Sequence, residues 1–186
     1  MRWLGRFVLW LGRWEIVGGI PDDPKAVIIA APHTSNWDAV WAIAYKLAVG
    51  LDVRWFAKHS AFWFPLGNIL RAFGAIDLDR ENAGTAVDEA IRLFEEEDTF
   101  YFALAPEGTR KKTPGWKTGF YRIALGANVP VCFGFLDFGN RRIGISPGIH
   151  LSGDPEADLA VIREIYEGID GRWPEKASPI VFPDYS

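Results

Sequence analysis

His33 and Asp38, five residues apart, and the compact segment Pro106-Glu107-Gly108-Thr109-Arg110 hold the residue types in this chain best suited to chemistry. A carboxylate that accepts the N–H of one imidazole nitrogen fixes the tautomer and leaves the other nitrogen free to take a proton, which describes a general base. The second segment offers an anion a glycine that lets the backbone approach closely, a threonine hydroxyl and a guanidinium able to grip phosphate bidentately. Two further cations belong with these: Arg80 closes the run Gly74-Ala75-Ile76-Asp77-Leu78-Asp79-Arg80, and Lys58 follows the apolar run Val53 to Ala57.

What matters next is which elements carry these residues. Ala26-Val27-Ile28-Ile29-Ala30-Ala31 reads as a strand buried on both faces, and His33 follows it directly. Five residues of continuous helix would turn Asp38 about 140° away from His33. The histidine must therefore lie in a strand-to-helix turn, and Ser35 or Asn36 suits the cap of a helix running from Asp38 to Val49. Strands are also expected at Val53 to Ala57, Ala75 to Leu78, Thr99 to Ala105, Val129 to Phe135 and Ile143 to Ser146. Helices are expected at Thr85 to Glu97, Lys117 to Leu125 and Glu156 to Ile169. The stretch from Ala61 to Phe73 is apolar but broken by Pro65 and Gly67.

Alternating strands and helices predict a single α/β domain over residues 1–186, three-layered, with a mostly parallel open sheet flanked by helices. In such sheets ligand crevices open at the carboxyl ends of the strands. Lys58, His33, Arg80 and Glu107, Gly108, Thr109 and Arg110 all follow expected strands and so share that edge. Lys111 and Lys112 have no such placement and read as solvated surface charges.

The composition narrows the function classes. A net charge of -4 argues against a nucleic-acid binder, which needs a broad basic face. The lone Cys132 excludes an intrachain disulfide and lies in an apolar run, where a buried inert thiol is expected. His59 and His150 have no ligand-spaced partners, so no metal site is expected. Gly144-Ile145-Ser146-Pro147-Gly148 formally matches a hydrolase nucleophile elbow. Its proline has no N–H to give an oxyanion hole, which excludes that reading. No stretch approaches the ~20 apolar residues of a spanning helix.

Nine Trp and thirteen Phe exceed what a core of this size requires and ask for an interface. Residues 1–15 supply one. At ~100° per residue, Arg2, Arg6 and Arg13 fall in a narrow arc beside a wide one of Trp3, Leu4, Phe7, Val8, Trp10, Leu11 and Trp14. Gly5 and Gly12 lie opposite, and Leu9 alone is out of place. This is an amphipathic helix whose cations and indoles suit a membrane surface, with Arg2, Trp3, Arg6, Phe7, Trp10, Arg13 and Trp14 as contacts. A terminal helix docked on the protein's own core is the competing reading, and the two can coexist.

Taken in order, these segments resemble the 1-acylglycerol-3-phosphate acyltransferase family within the wider glycerolipid acyltransferase group. His33 and Asp38 match its His-x4-Asp motif, and Gly74 to Arg80 its Gly-x5-Arg segment. Pro106 to Arg110 match Pro-Glu-Gly-Thr-Arg without substitution, and Val129-Pro130-Val131 its proline-containing strand. The resemblance spans residues 25–135. It implies an O-acyltransferase with His33 as base and Asp38 as its partner. Arg80, Glu107, Gly108, Thr109 and Arg110 would hold the phosphate of a lysophospholipid acceptor, Lys58 joining them by its place after a strand, and the donor would be a thioester of acyl-CoA or acyl carrier protein. No cofactor is implied. The expected stabilisers of the tetrahedral oxyanion are backbone N–H groups near the turn, and the expected location is cytoplasmic, attached peripherally to the inner face of the membrane. Alternatives are a non-catalytic membrane- or lipid-binding protein of the same fold, or an acyltransferase for a different lysolipid or alcohol.

Overall fold

The computed structural model describes residues 1–78 and 83–183, with backbone alone at positions 58, 61, 78, 83 and 84. In chain order the elements are α1 (Arg2–Leu11), β1 (Glu15–Val17), β2 (Lys25–Ala31), α2 (Trp37–Val49), β3 (Val53–Lys58), α3 (Leu66–Ala72) and β4 (Ala75–Leu78). They continue with α4 (Ala83–Glu96), β5 (Phe100–Leu104), α5 (Gly119–Ala127), β6 (Val131–Asp137), β7 (Arg142–Ile145) and α6 (Pro155–Ile165). Single-turn 3-10 helices lie at His59–Ala61 and Pro174–Lys176. The expected α/β domain with a mostly parallel sheet and an amino-terminal helix is what the chain forms.

The seven strands order as β1-β7-β6-β2-β5-β3-β4. Every pairing is parallel except β6 with β7. β2 sits at the centre because its residues are apolar on both faces, and its alternation divides the core in two. Val27, Ile29 and Ala31 join Phe102, Phe120, Phe133 and Ile162 in a layer under α4, α5 and α6. Ala26 and Ile28 join Leu9, Trp14, Ala44, Tyr45 and Cys132 under α1 and α2. Cys132 is fully buried and burial pushes its thiol up to about 12, so it is inert at neutral pH.

The amino-terminal helix corrects one expectation. Gly5 and Leu9, the glycine arc and its supposedly misplaced neighbour, form the face that packs on α2. A Cβ at Gly5 would come within 2.4 Å of the Ala44 carbonyl oxygen, and one at Gly12 within 2.5 Å of the Trp41 ring. Glycine here allows two helices to approach closely, and its low helix propensity is offset by that contact. The wide apolar arc consequently faces outward, with Trp3, Phe7, Trp10 and Leu11 exposed. The helix ends at Leu11, because Arg13 adopts a left-handed φ of 57° and turns the chain into β1. Trp14 is thereby removed from the outward face. Its ring packs within 5.4 Å of Trp41 and 5.0 Å of Phe138, so it is a core residue and not a surface contact.

β1 itself was not foreseen, since three residues at a sheet edge carry too little periodicity. α3 starts immediately after Pro65, so the apolar stretch that sequence leaves as irregular or helical is helical past its proline. Among the described residues no helix is long and apolar enough to cross a membrane.

Candidate active site

The carboxyl ends of the two central neighbours β2 and β5 carry the catalytic candidates side by side. β2 ends at Ala31 and β5 at Leu104, so the His33 turn and the Pro106–Arg110 loop leave the same edge. His33 lies in the expected strand-to-helix turn, before α2 begins at Trp37.

Asp38 organises that turn. Its Oδ2 accepts from the Thr34 N–H at 2.9 Å and the Ser35 N–H at 2.8 Å, and it meets His33 Nδ1 at 3.0 Å. The carboxylate is buried in the first turn of α2, facing two backbone donors at the amino-terminal end of the helix. Its Oδ1 is buried without a hydrogen-bond partner among the described residues. Facing this anion fixes the imidazole as an Nδ1–H donor, leaving Nε2 as the acceptor for a proton. The His33 side chain remains about a quarter exposed, enough to meet a substrate. Of the two expected caps, Ser35 acts: its Oγ accepts from the Trp37 N–H at 3.1 Å, while Asn36 makes no side-chain cap bond.

A second histidine–carboxylate pair provides a contrast. His59 Nδ1 lies 3.0 Å from Asp77, but that imidazole is 81% exposed and its carboxylate 29%. Water competes for both members, so neither tautomer nor orientation is held as at His33. Ser146 forms no nucleophile elbow. Its Oγ donates to the Pro147 carbonyl and accepts from the Phe133 N–H, completing the end of β7.

Glu107 departs from the role expected of it. It is 1% exposed, with Oε2 accepting from the His33 N–H at 2.7 Å and Oε1 from the Ser178 N–H at 3.4 Å. It ties the catalytic turn to the β5 loop from within and does not face the cleft. Burial pushes its carboxyl above the usual range, and the His33 and Ser178 N–H donors oppose that without cancelling it. A raised folded-state value means the native protein holds this proton more tightly than the unfolded chain. The contribution of Glu107 to stability is therefore greatest below the ordinary glutamate range and is lost as pH rises through the folded value. Glu107→Gln lacks this titration, so its stability relative to wild type should improve as pH rises from about 4 to 8. Urea unfolding of both proteins across that range checks it; a pH-independent difference would contradict the account.

The engagement of these backbone groups narrows the expected oxyanion donors. The N–H groups of His33, Thr34 and Ser35 are all taken by the two carboxylates. They are not free to stabilise a transition state.

Of the phosphate-binding candidates, Arg110 lines an open cleft of about 480 Å³ with Thr34, Ser35, Asn36 and Trp37. Gly108 has φ 66°, a left-handed backbone that favours glycine, and a Cβ there would meet only the flexible end of the Lys117 side chain at 3.0 Å. Thr109 Oγ1 accepts from the Lys111 N–H at 3.3 Å. Lys111, read from sequence as a solvated charge, lines the cleft with Arg110. Lys58 ends β3 on the same edge, its side chain lying outside what is described, and Arg80 lies outside the described residues.

The family model described as Acyltransferase matches residues 18–132. The chain belongs to the acyltransferase family. No curated protein sequence matches the chain. Among solved structures it is similar to PlsC, the 1-acyl-sn-glycerophosphate acyltransferase from Thermotoga maritima. The TM-score is 0.65 at 21% identity, over 90% of this chain and 76% of that one. At that identity the likeness establishes the shared fold. For an acyltransferase domain, the surprise lies past residue 132. Arg172, Trp173 and Lys176 complete the lining of the cleft, and sequence reading passed over all three. The signal was the run Arg172-Trp173-Pro174-Glu175-Lys176, an indole between two cations, but nothing local said which surface it would meet.

Proposed function

We propose that this protein is an O-acyltransferase that moves a fatty acyl group from a thioester donor to a hydroxyl of a lysophospholipid, 1-acylglycerol 3-phosphate being the leading acceptor. The observation that carries this reading is the His33 Nδ1–Asp38 Oδ2 contact of 3.0 Å, one residue from the cleft that Arg110 lines. With Asp38 holding Nδ1–H, His33 Nε2 takes the proton of the acceptor hydroxyl as its oxygen attacks the thioester carbonyl. The tetrahedral intermediate then collapses, the C–S bond breaks, and the imidazolium returns its proton to the departing thiolate. Acyl passes directly from donor to acceptor with no enzyme ester.

Arg110 supplies the planar, permanently charged partner for the acceptor's phosphate, with Thr109, Gly108 and Lys58 assigned to the same anion by their place at the strand ends and Arg80 by the resemblance of its Gly-x5-Arg segment. The donor is acyl-CoA or acyl carrier protein, and the chemistry needs no cofactor. Purified protein given one isotope-labelled thioester and a mixture of lysophospholipids and plain alcohols should form a labelled diacyl product from the phosphate-bearing acceptor, read by mass spectrometry. Release of free fatty acid alone, or no turnover of any acceptor, would end the reading.

Helix α1 is assigned to the membrane surface, at the cytoplasmic face where both substrates meet. It is docked through Gly5 and Leu9 and so turns Trp3, Phe7 and Trp10 outward with Arg2 and Arg6 beside them. Exchanging Trp3 and Trp10 for Ser should release the protein from vesicles containing anionic lipid in a flotation assay while leaving its thermal unfolding unchanged. Flotation equal to wild type would remove the membrane role from this helix.

A further inference from the structure

The carboxyl-terminal segment over residues 170–183 crosses the catalytic edge of the sheet and is tied down on both sides of it. Trp173 N–H donates to Thr34 Oγ1 at 3.2 Å, next to the general base. Ser178 N–H donates to Glu107, and Ser178 Oγ accepts from the Thr113 N–H at 3.0 Å, just past the arginine loop. A Cβ on Gly171 would lie 2.8 Å from Thr34 Oγ1, so the close crossing depends on glycine. The segment is therefore a built wall of the site, held in place before any ligand arrives.

That wall contributes charge. Arg110, Lys111, Arg172 and Lys176 converge on the cleft, whose lining includes no acid. Among the described residues none of these four forms an ion pair with a carboxylate. Such an accumulation runs against the chain's net charge of -4. Arg172 is also held in place, its guanidinium 5.5 Å from the Trp37 ring and 5.7 Å from that of Trp173, while Lys176 Nζ lies 5.3 Å over Trp173. Cation–π contacts of this kind restrain long side chains, so less freedom is lost when an anion binds. Unpaired cations held against mutual repulsion in a cleft define a receptor for more than one negative charge.

Resting on the acyl-transfer reading above, we infer that Arg172 and Lys176 are specificity-determining residues that select an acceptor ending in a phosphomonoester over one whose phosphate carries an ammonium headgroup. A phosphomonoester is close to a dianion at neutral pH and can use cations on both sides of the cleft, Arg110 and Lys111 from one wall and Arg172 and Lys176 from the other. A choline or ethanolamine phosphodiester has one negative charge and would bring its own cation against four others, a repulsion that rejects it. Both residues lie beyond the family match over residues 18–132, in the carboxyl-terminal segment.

The test compares wild type, the double variant Arg172→Gln/Lys176→Gln and the charge-keeping variant Arg172→Lys/Lys176→Arg. Acceptors are 1-acylglycerol 3-phosphate, the matching lysophosphatidylcholine and the uncharged 1-acylglycerol in one detergent. In the Gln variant the kcat/KM preference for the phosphomonoester over lysophosphatidylcholine should fall ~10- to 100-fold, chiefly through KM. The charge-keeping variant should restore most of it. Titration of glycerol 3-phosphate, followed by tryptophan fluorescence, should show a weakening of similar size without any turnover. An unchanged preference, an equal loss with all three acceptors, or a rise in donor KM alone would overturn the assignment, the last by giving the cleft to the donor. A wild type that binds glycerol 3-phosphate, more weakly in the Gln variant, yet acylates nothing would sink the acyl-transfer reading and leave the anion site standing.

Discussion

His33→Ala is expected to lower kcat about 10²- to 10⁴-fold, roughly 3 to 5 kcal/mol of barrier, with the fold intact. Alanine removes the proton acceptor but not what shapes the turn. The His33 N–H that Glu107 Oε2 accepts belongs to the main chain, and Asp38 still receives the Thr34 and Ser35 N–H groups. The loss should therefore fall on kcat, with acceptor KM little changed. Steady-state transfer from a thioester to 1-acylglycerol 3-phosphate measures it. Wild-type and variant rates within twofold of each other would remove His33 from the chemistry.

Asp38→Asn should cost a comparable factor, about 10²- to 10⁴-fold in kcat, by a different route. The amide oxygen can take the place of Oδ2 and keep its three neighbours, so the turn survives. What disappears is the negative charge that favours the imidazolium formed during proton transfer. The new NH₂ would occupy the site of Oδ1, which is buried with no hydrogen-bond partner among the described residues. An unsatisfied buried donor costs about 1–3 kcal/mol of stability, enough to lower the melting temperature visibly without unfolding the protein. Asp38→Ala would be a poorer test, because it strands the buried Thr34 and Ser35 donors as well. The combined variant His33→Ala/Asp38→Asn should be scarcely slower than His33→Ala, since the carboxylate acts through the imidazole. Additive losses would show that Asp38 works independently.

The catalytic turn was readable because its determinants are local. An apolar run, a histidine and a capping residue within a dozen positions dictate a strand, a turn and a helix start, and only one arrangement brings Asp38 to His33. The amino-terminal helix was readable as amphipathic but not in its orientation. Hydrophobicity alone favours burying the tryptophans, whereas shape decides otherwise: two backbones can meet at Gly5, where a Cβ would collide with the Ala44 carbonyl. Trp14 was assigned to the surface by continuing a helix that Arg13 in fact ends.

Residue types and their order along the chain were thus sufficient to determine the α/β class, the family and the histidine–aspartate pair, because each depends on short segments and their order. Tertiary structure alone decided that Glu107 faces inward to grip the His33 backbone across 74 positions, and that Trp173 reaches Thr34 across 139. Contacts at such separation leave no period or motif behind. They arise when the packed sheet brings distant loops to one edge, where a buried carboxylate must find donors and a cleft receives whatever side chains the returning chain presents.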